Sequence, residues 1–144
     1  MLKLRDEVGT LTKVAEMLER EELERIDYNE RNAVKGNKFN MSVACLNKEC
    51  GTVACIGGTA YLLENPNKFA AAQAYVNNHD TEADAGIDAL YFPSSYSGLK
   101  GVDDGTFIVY DFITPAEAAK AIRRYLAGEK QFWDHVTISE DSDG

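Results

Sequence analysis

The chain has no apolar run approaching the ~20 residues that a membrane span requires, so it is not expected to cross a bilayer. Its first residues, Met1-Leu2-Lys3-Leu4-Arg5-Asp6, lack the long apolar core of a secretory signal, and a cytoplasmic location is the expectation. Basic residues are in short supply. There are 15 Lys and Arg against 24 Asp and Glu in 144 residues, a formal net charge of -9. That balance argues against direct binding of nucleic acid or of an anionic membrane, because both need a basic surface.

Cysteine is scarce too, and its number is odd. Cys45, Cys50 and Cys55 without a signal segment read as reduced intracellular thiols. Their even spacing invites a metal reading, but zinc centres usually add a second, distant Cys pair. Here only His79, His135 or a carboxylate remains as a fourth ligand, so neither a metal nor a cofactor is expected. The sulfurs read as small buried groups beside a helix start. No Lys follows Gly57-Gly58, which removes a P-loop, and Asp103-Asp104-Gly105 lacks the pattern and closing Glu of an EF-hand loop.

What remains is an ordinary globular mixture, 44% hydrophobic and 27% charged, in a chain long enough to bury a core. Leu4, Val8, Leu11, Ala15 and Leu18 recur at helical spacing, with Val14 and Met17 widening the stripe, and predict a helix over 1–26, firm from about Thr10 because Gly9 weakens its beginning. Its other face, Glu16, Glu19, Arg20 and Glu24, reads as solvated surface or as contact for a basic partner. Lys38 to Val43 alternates and predicts a short strand or an extended anchor.

Thr52 reads as the N-cap of a helix over 53–64, with Val53, Ile56, Ala60 and Leu63 on one face. Gly57 and Gly58 inside that helix cost about 1 kcal/mol each relative to Ala, so close approach of another backbone or of a ligand is expected there. Further helices are predicted over 68–78 and 81–90. A long Ser-, Gly- and Asp-rich loop follows over 93–106, and a β-rich segment over 106–113 is a candidate partner for 38–43. Thr114-Pro115-Ala116-Glu117 is a capping box opening a helix that Gly128 stops, and Phe132 and Trp133 are expected to staple the C-terminus to the core. The fold expected is mainly α: one domain over 1–138 with four or five helices, room for a small two-stranded β ribbon, and a disordered acidic tail over 139–144.

Phe39-Asn40-Met41 followed by Cys50-Gly51-Thr52-Val53-Ala54-Cys55-Ile56-Gly57-Gly58 resembles a family of short uncharacterised proteins from bacteria and their phages. The resemblance continues through Leu90-Tyr91-Phe92-Pro93 and the Thr114 to Ile122 helix, and departs at Thr59, where many relatives carry an aromatic residue. It implies a common fold and a phage or mobile-element context, and no reaction.

Three functional expectations follow. The first is a non-enzymatic protein that engages a host protein with a basic surface, using Tyr96, Asp103 and Asp104 of the long loop. The second is a small-anion or nucleotide binder at a helix start formed by Gly51, Thr52 and Cys55, where backbone N–H groups are free and a thiol pKa should fall. The third is a thiol or metal site on the three cysteines, with a Cys–His pair drawing on His79 or His135 as its catalytic form.

Overall fold

The computed structural model describes residues 3–27, 30, 34–41, 43–48, 51–78, 85–92 and 113–136. Asp6 opens helix α1 (Glu7–Glu19), its carboxylate accepting the Gly9 N–H at 3.1 Å. Of the predicted stripe Leu11, Ala15 and Leu18 are buried, together with Val14, but Val8 is 62% exposed and Leu4 lies before the helix, which is shorter than the 1–26 expected. Glu21 then takes a left-handed turn, φ 60°, that ends the first helical layer.

Four strands follow: β1 (Glu24–Arg25), β2 (Gly36–Phe39), β3 (Cys45–Lys48) and β4 (Gly51–Ala54). Their order across the sheet is β1-β2-β4-β3, with β1, β2 and β4 parallel and β3 antiparallel to β4. Helices α2 (Ile56–Glu64), α3 (Phe69–Asn78), α4 (Ala85–Tyr91) and α5 (Pro115–Leu126) complete the described elements.

The expectation of a mainly α domain with a two-stranded ribbon is overturned. Among the described residues the protein is an α/β fold with five helices and a four-stranded mixed sheet. The error sits at Gly51-Thr52-Val53-Ala54. Thr52 is not an N-cap; it lies in a strand with a hydrogen-bonded neighbour on each side, and the helix begins only after Cys55. Both neighbours are distant in sequence or reached by a turn, so local capping chemistry had no competitor visible in the sequence. The expected strand over 38–43 shifts back to Gly36–Phe39 because Asn40 turns the chain out of the sheet. The proposed β partner over 106–112 lies outside the described residues, as do 81–84 of the fourth expected helix.

Asn40 holds the carboxyl ends of the three parallel strands together. Its side chain donates to the Ile26 carbonyl at 2.9 Å, and its backbone N–H donates to the Ala54 carbonyl at 3.2 Å. It is fully buried, where an unpaired amide would cost on the order of 1–3 kcal/mol. On one side of the sheet Phe39 and Cys45 join the main core under the helices; on the other Val53 packs with Val34 and Val43 in a small second cluster.

The last helix forms as its sequence dictates. Thr114 accepts from the Glu117 N–H at 3.1 Å while the Glu117 carboxylate accepts from the Thr114 N–H at 2.9 Å, and Gly128 closes the end at φ 87°. α5 packs on α1, where Arg123 forks onto Glu19 at 2.9 and 3.1 Å. Trp133 is buried and donates its indole N–H to the Ala89 carbonyl at 3.1 Å, so the chain beyond α5 is pinned to α4 as expected. No helix among the described residues is long and apolar enough to cross a membrane.

Candidate functional site

Gly51, Thr52 and Cys55, grouped by their sequence into one ligand-binding helix start, have three different surroundings. Gly51 faces Gly36 across the β2–β4 pair, and a Cβ at Gly51 would lie 2.0 Å from the Gly36 carbonyl oxygen. Thr52 donates its hydroxyl to the Asn47 side-chain oxygen at 3.0 Å and lines an open groove. Cys55 is the N-cap residue of α2 and is buried, its thiol directed to the Ala44 carbonyl at 3.9 Å.

Burial pushes the Cys55 thiol pKa up, outweighing the N–H groups of Gly58, Gly57 and Cys55 itself, which pull it down. The thiol pKa thus rises where a helix start alone would lower it. Burial and the neighbouring Cys55 push Cys45 up to about 11. Cys50 lies outside the described residues.

The first turn of α2 is packed from two sides. A Cβ at Gly58 would stand 1.9 Å from the Ala44 carbonyl oxygen, and one at Gly57 would stand 3.0 Å from both the Tyr91 ring and Val76. Close approach of another backbone therefore accounts for Gly58, and two side chains account for Gly57. Beside them Tyr61, Tyr75 and Tyr91 form a ladder, with ring centroids 5.3 and 5.7 Å apart. The Tyr75 and Tyr91 hydroxyls meet at 2.6 Å, and burial followed by the Tyr75 contact raises the Tyr91 pKa well above its usual value.

His135 is engaged at both ring nitrogens. Arg124 can only donate, so Nδ1 accepts from it at 3.1 Å, and Nε2 donates to the Glu117 carbonyl at 2.9 Å. The ring also stacks near Trp133, 6.2 Å between centroids, and this arrangement leaves no nitrogen to serve as base for a thiol. His79, Tyr96, Asp103 and Asp104 lie outside the described residues. Among the described residues no group of three or more His, Cys, Asp or Glu side chains is disposed to hold a metal ion.

Among the described residues, openings to the surface include two that share a wall. The first is a groove of about 240 Å³ between the helix-facing side of β2 and β4, α2 and the α2–α3 turn, with Thr52, Thr59, Leu62 and Phe69 among its walls. The second, about 400 Å³, has Leu18 and Leu23 together with Glu19, Glu21 and Glu24 in its walls. Leu23 belongs to both, so the turn after α1 is the partition between them. The groove was not expected because helical spacing at Phe69 signals a helix and not a cavity; the sheet beneath Thr59 and Phe69 creates the space.

The carboxylates around that turn are unequally committed. Glu19 is held by Arg123, whose hydrogen bond keeps the Glu19 pKa below its usual value. Glu24 pairs with Lys38 at 3.0 Å, and Arg20 lies 3.9 and 4.0 Å from Glu16 and Glu22. Glu21 has no ion-pair partner among the described residues.

No protein-family model matches this chain, and no curated protein or solved structure does.

Proposed function

We propose that the chain is a non-catalytic binding protein of the phage or mobile-element kind, acting in the cytoplasm on a host protein that presents a basic surface. The observation that carries this reading is the acidic turn after α1. Glu21 and Glu22 lie there, with Glu16 on the last turn of α1 beside them, and Arg20 stands 3.9 Å from Glu16 and 4.0 Å from Glu22, in a chain of net charge -9. A field of one sign steers a basic partner and raises its association rate. The buried thiols and the fully engaged His135 support a role in binding rather than in covalent chemistry. Tyr96, Asp103 and Asp104 remain proposed as partner-contacting residues.

The test is capture from host lysate at low and at high salt, with the retained partner identified and its stoichiometry measured. A charge-reversed chain, Glu16→Lys with Glu21→Lys and Glu22→Lys, serves as the control. The reading expects one stoichiometric basic partner that salt and charge reversal both release. Retention that ignores both, or no stoichiometric partner at low salt, contradicts it.

A further inference from the structure

We propose that the groove between β4 and α2 binds a small uncharged planar heterocycle of the nucleobase or nucleoside class. This goes beyond the acidic contact above and does not rest on it.

Thr59 carries the argument. It is only 8% exposed, and its backbone N–H is used by the Cys55 carbonyl at 2.9 Å. Its hydroxyl makes no hydrogen bond among the described residues. Every fully enclosed side-chain nitrogen or oxygen among those residues has a partner, so the Thr59 hydroxyl opens into the groove whose wall it forms. A hydroxyl that opens into a groove from a residue only 8% exposed, with no partner among the described residues, is a hydrogen-bonding position open to a ligand atom.

The remaining walls define what fits. Met17, Leu62 and Phe69 supply apolar surface, while Thr52 and Asn37 add polar edges near Thr59. Lys38 is the groove's one ionisable residue, and Glu24 already holds it at 3.0 Å. An anionic ligand would meet no free cation there and would enter against the field of a chain at -9. A cationic ligand would find no carboxylate in the walls. The volume of about 240 Å³ is below that of a typical drug-sized site and calls for a small occupant. Apolar faces with a hydrogen-bonding rim describe a nucleobase, whose edge presents both donors and acceptors to hydroxyl and amide groups.

The experiment is an amide-shift NMR titration of the whole ¹⁵N-labelled protein with adenosine, guanosine, cytidine and uridine, and with their free bases. One of these is expected to saturate and to move the amides of Thr52, Thr59 and Leu62 while those of α5 stay in place. Thr59→Val keeps the shape and should leave Tm unchanged while weakening Kd about tenfold, the scale of one hydrogen bond. Leu63→Trp, at a half-exposed position on the rim, should abolish the shifts by filling the groove while the fold is retained. The 5′-monophosphate of the binding nucleoside should bind more weakly than the nucleoside. The proposal is overturned if no probe saturates at these amides, if Thr59→Val binds as tightly as the parent, or if the monophosphate binds better.

Discussion

The Ala44 carbonyl oxygen occupies the space that a side chain at Gly58 would need, 1.9 Å from where a Cβ would stand. The helix after β4 is thereby seated directly on the backbone that leads into β3. Gly58→Ala gains helix propensity of about 1 kcal/mol, yet it must push a main-chain carbonyl away. The net loss expected is about 3 kcal/mol, read as a lower urea midpoint with unchanged m. Gly57→Ala meets the Tyr91 ring and Val76 at 3.0 Å instead, and side chains yield more cheaply, so about 1 kcal/mol is expected. Gly58→Ala as stable as the parent would contradict the seating.

The hydroxyl contact between Tyr75 and Tyr91 makes a second prediction. Each Phe substitution strips one hydroxyl and should cost about 1–2 kcal/mol, because its partner loses a buried hydrogen bond. The double variant should cost less than the two singles together, since the two substitutions remove one shared contact. Strict additivity in denaturation measurements would show that the two hydroxyls are not coupled.

Glu64 joins the end of α2 to the start of α1. Its carboxylate accepts the Arg5 N–H at 2.5 Å, the Asp6 N–H at 2.9 Å and the Thr10 hydroxyl at 2.7 Å. Burial acts to raise its pKa, but these three donors and the Arg5 charge together hold it below the usual value. A carboxyl depressed in the folded state contributes stability above its unfolded pKa, about 4.3, and loses that contribution as pH falls through its folded value. Glu64→Gln should lower stability at pH 7 by about 1–3 kcal/mol and flatten the acid limb below about pH 4. An unchanged acid limb in pH-dependent thermal denaturation would argue against the contact.

How much of this was legible depended on how local each signal was. The Leu11, Ala15 and Leu18 part of the α1 stripe and the Thr114–Glu117 box are local patterns, and the structure keeps both, while Val8 of the same stripe is exposed. The Gly57-Gly58 pair was legible as an anomaly, and its cause, backbone against backbone at Gly58, matches the expectation. The sheet was not legible, because β4 exists through its pairing with β2 and β3, and Thr52 carries an N-cap signal as strong as its strand preference. Asn40 makes the turn its residue type favours, but its second role as the bolt across three strand ends was not legible. The groove was illegible for the same reason: Thr52 and Thr59 meet there only once the strand and the helix are folded against each other.

The cysteine-glycine segment is interior framework. Thiol labelling of the native protein carrying Cys50→Ser tests that most directly. Cys45, its thiol at about 11, and the buried Cys55 should react only through unfolding. Labelling at pH 8 should then be at least about a thousandfold slower than in denaturant, and should slow further when stability is raised. Labelling of either sulfur at the rate of an exposed thiol, indifferent to stability, would contradict it.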